Sequence, residues 1–253
     1  MNKAKFAICI PTYNRADLLI PALMYYAVDF PNTDIFIWDN GDNLRKVFDY
    51  ESINSIRKIT NNNKCKWSIG RGHSVNIGVA GAWNRLLRKV FALNAGVYND
   101  LSFDTYVQDR EYTHAIVLND DIYWGQKEYS FVPFINHAPD HLLNFACYGE
   151  AGGGFSAFMI SKTCFKAIGE FDERYYPAYY EDCDYKMRLF ESGMVDMKTA
   201  MRMPMFNPVI FNKSMTLEKE PTLVDGYKEK NKALFLNKWG HMEKHFSELY
   251  INI

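Results

Sequence analysis

Apolar residues gather in short runs that stop at turn-forming polar residues, and longer amphipathic stretches separate the runs. Lys5 to Ile10 (KFAICI), closed by Pro11, predicts a buried strand, and Ala16 to Ala27 has helical spacing with Asn14 or Arg15 near its start. Asp34 to Trp38 (DIFIW) predicts a second strand stopped by Asp39-Asn40-Gly41-Asp42, and Ser55 to Thr60 a weaker third. From Gly78 to Leu93, apolar and small residues alternate with Arg85, Arg88 and Lys89, the pattern of an amphipathic helix with a cationic face. His114 to Leu118 (HAIVL) is the next strand and ends in Asn119-Asp120-Asp121. Strands and helices that alternate in this way predict a mostly parallel, twisted sheet covered on both faces. Ligands of such sheets sit at the carboxyl ends of the strands. Pro11 to Arg15, Asp39 to Asp42 and Asn119 to Asp121 all fall there.

The second half is less regular. Gly152-Gly153-Gly154 precedes an apolar strand from Phe155 to Ile160, and Ser161 to Gly169 reads as a short helix capped by Ser161 and closed by Gly169. An aromatic loop, Tyr175 to Tyr180, leads into Glu181-Asp182-Cys183-Asp184 and a helix that runs to Ser192 and ends at Gly193. Met203 to Phe211 predicts a peripheral strand broken by Pro204 and Pro208, and Tyr227 to Phe246 a terminal helix or helix pair broken at Gly240.

The length of 253 residues is enough for a sizeable core, and 48% hydrophobic with 23% charged residues excludes a disordered chain. No apolar run approaches the roughly 20 residues of a membrane-spanning helix, and the start lacks a small-residue cleavage site, so the expectation is an unprocessed, soluble, cytoplasmic protein. Five cysteines, widely spaced and without a C-x-x-C pair, indicate neither a disulfide framework nor a zinc site. The net charge of −1 is unevenly placed. Between Glu51 and Asp100 lie Arg57, Lys58, Lys64, Lys66, Arg71, Arg85, Arg88 and Lys89 and no acid, which reads either as a solvated face or as a surface that meets phosphate.

Two acidic clusters carry the candidate chemistry. Adjacent carboxylates on the turn Asn119-Asp120-Asp121 leave the sheet in different directions, so one can take a divalent cation while the other accepts a hydrogen bond from a sugar hydroxyl; a plain Asx-type turn is the alternative. Glu181, Asp182 and Asp184 crowd three carboxylates into four residues, which raises a pKa toward the range of a general base or simply caps a helix. Asp39 can accept from a nucleobase imide, and Tyr13 offers a stacking face. The chain has no P-loop, no dinucleotide fingerprint and no G-x-S-x-G elbow.

In order, the elements Ile8 to Arg15 (ICIPTYNR), Trp38-Asp39-Asn40-Gly41, Asn76-x-Gly78-x-x-Gly81-Ala82-x-Asn84, Leu118-Asn119-Asp120-Asp121, Gly154-Phe155 with Ile168 to Glu173, and Tyr180-Glu181-Asp182-x-Asp184-x-x-x-Arg188 resemble glycosyltransferase family 2 and relatives with the GT-A fold. The resemblance extends from about Phe6 to about Arg188. It implies one α/β domain over 1–253, with a Rossmann-like, nucleotide-sugar-binding half (1–121) and a smaller acceptor-binding half that carries the catalytic base (122–253). It assigns the nucleotide to Pro11, Thr12, Tyr13, Arg15 and Asp39, the ribose or diphosphate to Asn76 and Asn84, the donor to Asp120, and Mn²⁺ or Mg²⁺ to Asp121. Asp182 is the implied base, supported by Glu181 and Asp184, and Gly153, Gly154, Phe155 and Arg188 face donor sugar or acceptor. Many relatives add a later His. Here Ile210 to Ser214 has none, which leaves Asn212 or Lys213 to assist Asp121, and Asn119 replaces the first acid of the usual metal motif.

The implied activity is an inverting, metal-dependent transfer from a nucleotide sugar, by family prior a UDP-sugar, to a saccharide or glycan. Hydroxylated bases of DNA are the alternative acceptor suggested by the cations. A nucleotidyl transferase and a non-catalytic sugar-nucleotide or glycan-binding module are the other readings. The first calls for a Gly-rich, Lys-bearing loop that Pro11 to Arg15 is not.

Overall fold

A computed structural model describes residues 5–30, 33–41, 67–71, 75–93, 111–124, 140–144, 154–195, 210–212 and 226–240. Its strands are β1 (Phe6–Thr12), β2 (Asp34–Asp39), β3 (Trp67–Arg71), β4 (His114–Leu118), β5 (Ile122–Trp124), β6 (Leu142–Asn144), β7 (Ala157–Ser161) and β8 (Ile210–Asn212). Its helices are α1 (Ala16–Asp29), α2 (Gly78–Phe91), α3 (Lys162–Ile168), α4 (Glu181–Glu191) and α5 (Tyr227–Trp239). A six-stranded sheet has the order β3-β2-β1-β4-β7-β6, and β5 and β8 form a small separate pair. The first four strands of that order are mutually parallel, while β7 runs antiparallel to both β4 and β6. The protein is therefore an α/β fold on a mixed, mostly parallel sheet.

Strict alternation along the central strands feeds two cores, one on each face. Ala7, Cys9, Phe36, Trp38, Ala115, Val117 and Phe158 point to the side covered by α2, α3 and α4. Ile8, Ile10, Ile35, Ile37, Ile116, Leu118 and Met159 point to the side where α1 supplies Leu19, Ala22, Leu23 and Tyr26. Strands buried on both faces read as continuous apolar runs, which is why KFAICI, DIFIW and HAIVL stood out.

Several expectations change. β1 continues through Pro11 to Thr12 because its ladder with β4 ends at Cys9↔Val117, so the β4 side asks no N–H of Pro11. The strand beside β2 is Trp67–Arg71; the expected strand at 55–60 lies outside the described residues. The first helix runs on to Asp29, and the last described helix stops at Trp239 with Gly240 at φ +66. The Ser161 cap forms as expected, its Oγ accepting from the Cys164 N–H at 2.9 Å. Among the described residues no helix is long and apolar enough to cross a membrane.

Candidate active site

The strand order places a topological switch point between β1 and β4. From β1 the chain builds outward to β2 and β3 on one side and then returns to β4 on the other, and a crevice opens at such a reversal beyond the carboxyl ends of the two strands. The β1–β2 ladder continues to Thr12↔Asp39 while the β1–β4 ladder stops three residues earlier, so the two central strands part at the acidic turn. Thr12 spans the gap: its hydroxyl donates to Asp120 Oδ2 at 2.5 Å. Tyr26 of α1 holds the same turn from below, donating to the carbonyls of Asn119 (3.2 Å) and Ile122 (2.9 Å). Asp120 and Asp121 are both buried. Burial, then the Asp121 charge, pushes the Asp120 carboxyl up to about 7, against the opposing pull of Thr12 and Arg15. Arg15 is itself buried and pairs with the exposed Asp17 at 2.9 Å. Tyr26→Phe keeps the ring and removes both bonds, so a stability loss of about 1–2 kcal/mol is expected, read from the denaturant midpoint.

The turn after β2 packs beside this crevice. Asp39 is buried and its Oδ1 accepts the Gly41 N–H at 3.0 Å. A Cβ on Gly41 would stand 2.1 Å from Asn14 Oδ1, so the two turns meet only because residue 41 is glycine. Asn40 connects the turn to the start of α2, donating to Asn76 Oδ1 (2.8 Å) and accepting from the Ile77 N–H (2.9 Å). Asn76, which the resemblance assigns to the ribose or diphosphate, is half-buried, as are Pro11 and Tyr13. Asn84 differs. It is fully buried, its Nδ2 donating to the Phe171 carbonyl (2.9 Å) and Glu173 (2.9 Å) and its Oδ1 accepting from the Phe171 N–H (2.8 Å). Its amide is consumed in tying α2 to the 171–173 loop, so the ligand assignment is corrected to a packing role.

The second acidic cluster is delivered by a strained loop. Tyr179 (φ +76) and Tyr180 (φ +74) are consecutive non-glycine residues in the left-handed region, a costly arrangement that neighbours must over-determine. Asn231 of α5 does so: it is fully buried, and its amide lies 3.2, 2.9 and 3.3 Å from the carbonyls of Tyr176, Ala178 and Tyr179. From the other side, the Val79 N–H donates to the Pro177 carbonyl at 2.8 Å, and Gly78, at φ +78, leaves no room for a Cβ beside that oxygen.

At the start of α4 the three acids separate into different environments. Glu181 is buried, its Oε2 has no hydrogen-bond partner among the described residues, and burial followed by the Asp182 charge holds its carboxyl well above the usual range. Asp182 keeps 15% of its side chain exposed. Its Oδ1 accepts the Cys183 N–H at 2.8 Å, and its Oδ2 lies 3.9 Å from Lys186 Nζ. Asp184 has no exposure at all and accepts from Trp239 Nε1 (2.9 Å), Arg188 Nε (2.9 Å) and Tyr175 (3.4 Å), with Lys238 Nζ at 2.7 Å. Arg188 also donates to the Ile168 carbonyl at 3.0 Å and lies over the Tyr185 ring. Two assignments are corrected here: Asp184 and Arg188 are joined in a hub that fastens α4 to α5.

A proton that Glu181 retains in the fold but loses when unfolded makes the fold relatively weaker as pH rises above the ordinary glutamate range. Glu181→Gln is therefore expected to match the parent near pH 4 and to gain on it progressively toward pH 8, measured as thermal midpoints across that range.

The strand end before Asp120–Asp121 and the middle of α4 are both linked to the segment Phe155–Ser156. The Asn119 N–H donates to the Ser156 carbonyl at 3.0 Å, and Leu118 pairs with Ala157. On the other side, Lys186 Nζ sits 5.0 Å from the centroid of the neighbouring Phe155 ring. The segment Phe155–Ser156 thus touches both Asn119, which leads into Asp120–Asp121, and Lys186 in the middle of α4. Gly154 leads into that segment; Gly153 lies outside the described residues. Tyr26, Lys186 and Asn231 were not singled out from sequence. Only Lys186, four residues beyond Asp182 on one helix face, left a usable signal.

The donor set fits a hard cation that takes most of its ligands from elsewhere. Two buried, mutually repelling carboxylates would be relieved by a dication, and oxygen-only donors suit Mg²⁺ or Mn²⁺. Among the described residues no group of three or more His, Cys, Asp and Glu is gathered. Register places Asn212 opposite Ile122, next to Asp121; Lys213 lies outside the described residues. The cationic face of α2 is largely committed: Arg88 pairs with Glu170, lies 3.6 Å from Glu173, and Arg85 stands over the Trp38 ring. Arg57, Lys58, Lys64 and Lys66 lie outside the described residues.

No family model and no curated protein matches the chain. Among solved structures, it is similar to the mannosyltransferase PcManGT from Pyrobaculum calidifontis in complex with GDP-Man and Mn²⁺ at 12% identity and a TM-score of 0.48, covering 74% of this chain and 53% of that one. It is similar to a Drosophila β-1,4-galactosyltransferase 7 mutant in complex with manganese, UDP-Gal and xylobiose at 9% identity and a TM-score of 0.44, covering 83% and 71%. A third likeness is to the apo glycosyltransferase GlyE of Streptococcus pneumoniae at 10% identity and a TM-score of 0.38, covering 87% and 44%. The chain spans about half the length of the first and third. Its own fold assignment stands on strand order and register.

Proposed function

We propose that the protein is an inverting, metal-dependent glycosyltransferase that moves a sugar from a nucleotide-sugar donor, a UDP-sugar in the first instance, to a hydroxyl of a saccharide or glycan. What supports this reading is that the Phe155–Ser156 segment contacts both Asn119, the residue before Asp120–Asp121, and Lys186 of α4, the helix whose first turn carries Asp182. In this reading residues 1–121 hold the donor and 122–253 the acceptor and the base.

Pro11, Tyr13, Asp39 and Asn76 line the nucleotide end, and Asp120, fixed by Thr12, accepts from a donor hydroxyl. Asp121, with Asn212 at hand, would hold Mn²⁺ or Mg²⁺, which when bound neutralises charge developing on the diphosphate leaving group. Asp182 Oδ2 accepts the proton of the acceptor hydroxyl as that oxygen bonds to the anomeric carbon. The bond from that carbon to the diphosphate breaks with its electron pair leaving on the nucleoside diphosphate, and attack from the opposite side inverts the centre. The engagement of Arg88 with Glu170 favours the glycan over the DNA acceptor.

Incubation with a panel of nucleotide sugars and simple saccharides, with and without EDTA, tests the reading. Release of a nucleoside diphosphate that stops with chelator and returns with Mn²⁺ is expected. Saturable donor binding with no release under any condition would make the protein a binding module instead.

A further inference from the structure

We infer that Asn40 is a positioning residue of the transfer reaction: through the start of α2 and the Pro177 carbonyl it sets where the Tyr176–Tyr180 loop presents Asp182. This rests on the proposed base role of Asp182. Asn40 is buried, and its backbone N–H donates to the carbonyl of Thr12, the residue whose hydroxyl holds Asp120, at 2.8 Å. Its side chain is spent on the segment 76–78. The Ile77 N–H can only donate, which fixes Oδ1 towards it at 2.9 Å, and Nδ2 then donates to Asn76 Oδ1 (2.8 Å) and the Gly78 carbonyl (3.2 Å). Asn76 Oδ1 also accepts the Gly78 N–H at 2.8 Å, which closes the turn.

That turn opens α2, and α2 needs an acceptor from outside itself. The first amides of a helix have no partner within it, and Ile77, at the N-cap position, brings no polar side chain. The Pro177 carbonyl supplies the acceptor, 2.8 Å from the Val79 N–H. The approach is close: a Cβ on Gly78 would stand 2.9 Å from that oxygen and 3.1 Å from the Tyr176 ring. α5 takes the neighbouring carbonyls, with the Asn231 amide within 3.3 Å of those of Tyr176, Ala178 and Tyr179. Every carbonyl from 176 to 179 is thus gripped by α2 or α5. The chain then passes directly into the first turn of α4, where the Asp184 N–H donates to the Tyr180 carbonyl at 2.9 Å and Asp182 lies between the two.

A loop that only connects has no need of this grip. Tyr179 and Tyr180 hold left-handed conformations that a relaxed loop would give up, and such outliers persist where the surroundings over-determine them. What the strain secures is the entry to α4, and with it a carboxylate that must come within hydrogen-bond reach of an acceptor hydroxyl. A misplacement of about 1 Å at such a centre costs up to roughly a hundredfold in rate. Asn40 therefore acts on the base through the backbone that carries it.

The test is a double-mutant cycle of Asn40→Ala and Asn231→Ala in the full chain, read as kcat at saturating donor and acceptor. Each single variant is expected to lose about tenfold or more in kcat, with the donor KM of Asn231→Ala staying within about twofold of the parent. The double variant should lose little more than the worse single one, because both substitutions release the same loop. Losses that multiply, or a parental kcat in Asn40→Ala, overturn the inference, since a side chain that merely stabilised the fold would lower the thermal midpoint and leave the kcat of the folded protein alone. Amide hydrogen exchange reads the relay without turnover. In Asn40→Ala the Asp184 amide, the last step of the relay, is expected to exchange about tenfold faster while the amides of β7 keep their rates. If no donor is turned over, the transferase reading fails by itself and exchange still decides. Selective acceleration at Asp184 supports the relay; an unchanged Asp184 amide, or one matched by β7, removes it. Asn40→Ser takes the place of the alanine variant should that not fold.

Discussion

Asp182→Asn is expected to lower kcat by about 10²–10⁴-fold, with the donor KM and the thermal midpoint close to those of the parent. The substitution is nearly isosteric, and the amide oxygen can still accept the Cys183 N–H that anchors the parent carboxylate at 2.8 Å. Under the proposed base role it removes the lone pair that takes the acceptor proton, an interaction made only as the new bond forms, so the loss falls on kcat. In the same proposal the donor is held by residues 1–121, so its KM has no reason to move. The partner experiment is Asp121→Ala, for which a comparable loss of turnover should come with weakened Mn²⁺ dependence. Measured together under single-turnover conditions, the two variants separate proton removal from leaving-group stabilisation. Near-parent turnover in Asp182→Asn would remove the base assignment, whatever the donor panel gives.

The fold's central strands were legible because burial on both faces forces continuous apolar runs, and the functional turns were legible because they end those runs. β3, β5 and β6 were not, and β8 coincides with the end of the strand expected over Met203 to Phe211. IYW and LLN are too short for periodicity, and pairing with a neighbour, such as Ile122↔Asn212, decides that a short segment is a strand. The site divided in the same way. Thr12 and Asp39 end their strands, Asp120 lies on the turn after β4 and Asp182 lies in the first turn of α4, positions that follow from the apolar runs and the helix pattern. Asn84, Asp184 and Arg188 belong to the same motifs by type and spacing, yet they serve packing. For Asp184 the deciding partner, Trp239, arrives from 55 residues further along the chain, beyond the reach of any local pattern. Crowded acids at the start of α4 did imply a raised carboxyl. The raised group is Glu181, because depth of burial differs among the three, and sequence does not give depth.

Asp184 should therefore behave as the opposite of Asp182. Asp184→Ala is expected to destabilise the protein by about 3–5 kcal/mol, since it strips the counter-charge from Arg188 and Lys238 and leaves the Trp239 indole N–H without its acceptor. The effect is large because Asp184 is wholly buried, so water cannot enter to replace the carboxylate without opening the α4–α5 contact. Asp184→Asn retains the shape and one acceptor oxygen and should fall between Ala and the parent. The consequence for activity is indirect. α5 also carries Asn231, whose amide holds the left-handed Tyr179–Tyr180 turn, so loosening α5 relaxes the loop that presents Asp182. Urea unfolding followed by tryptophan fluorescence should therefore shift to a lower midpoint while the still-folded fraction at low temperature keeps its turnover. If Asp184→Ala instead abolished turnover at parental stability, the carboxylate would belong to the reacting centre and the hub assignment would be wrong.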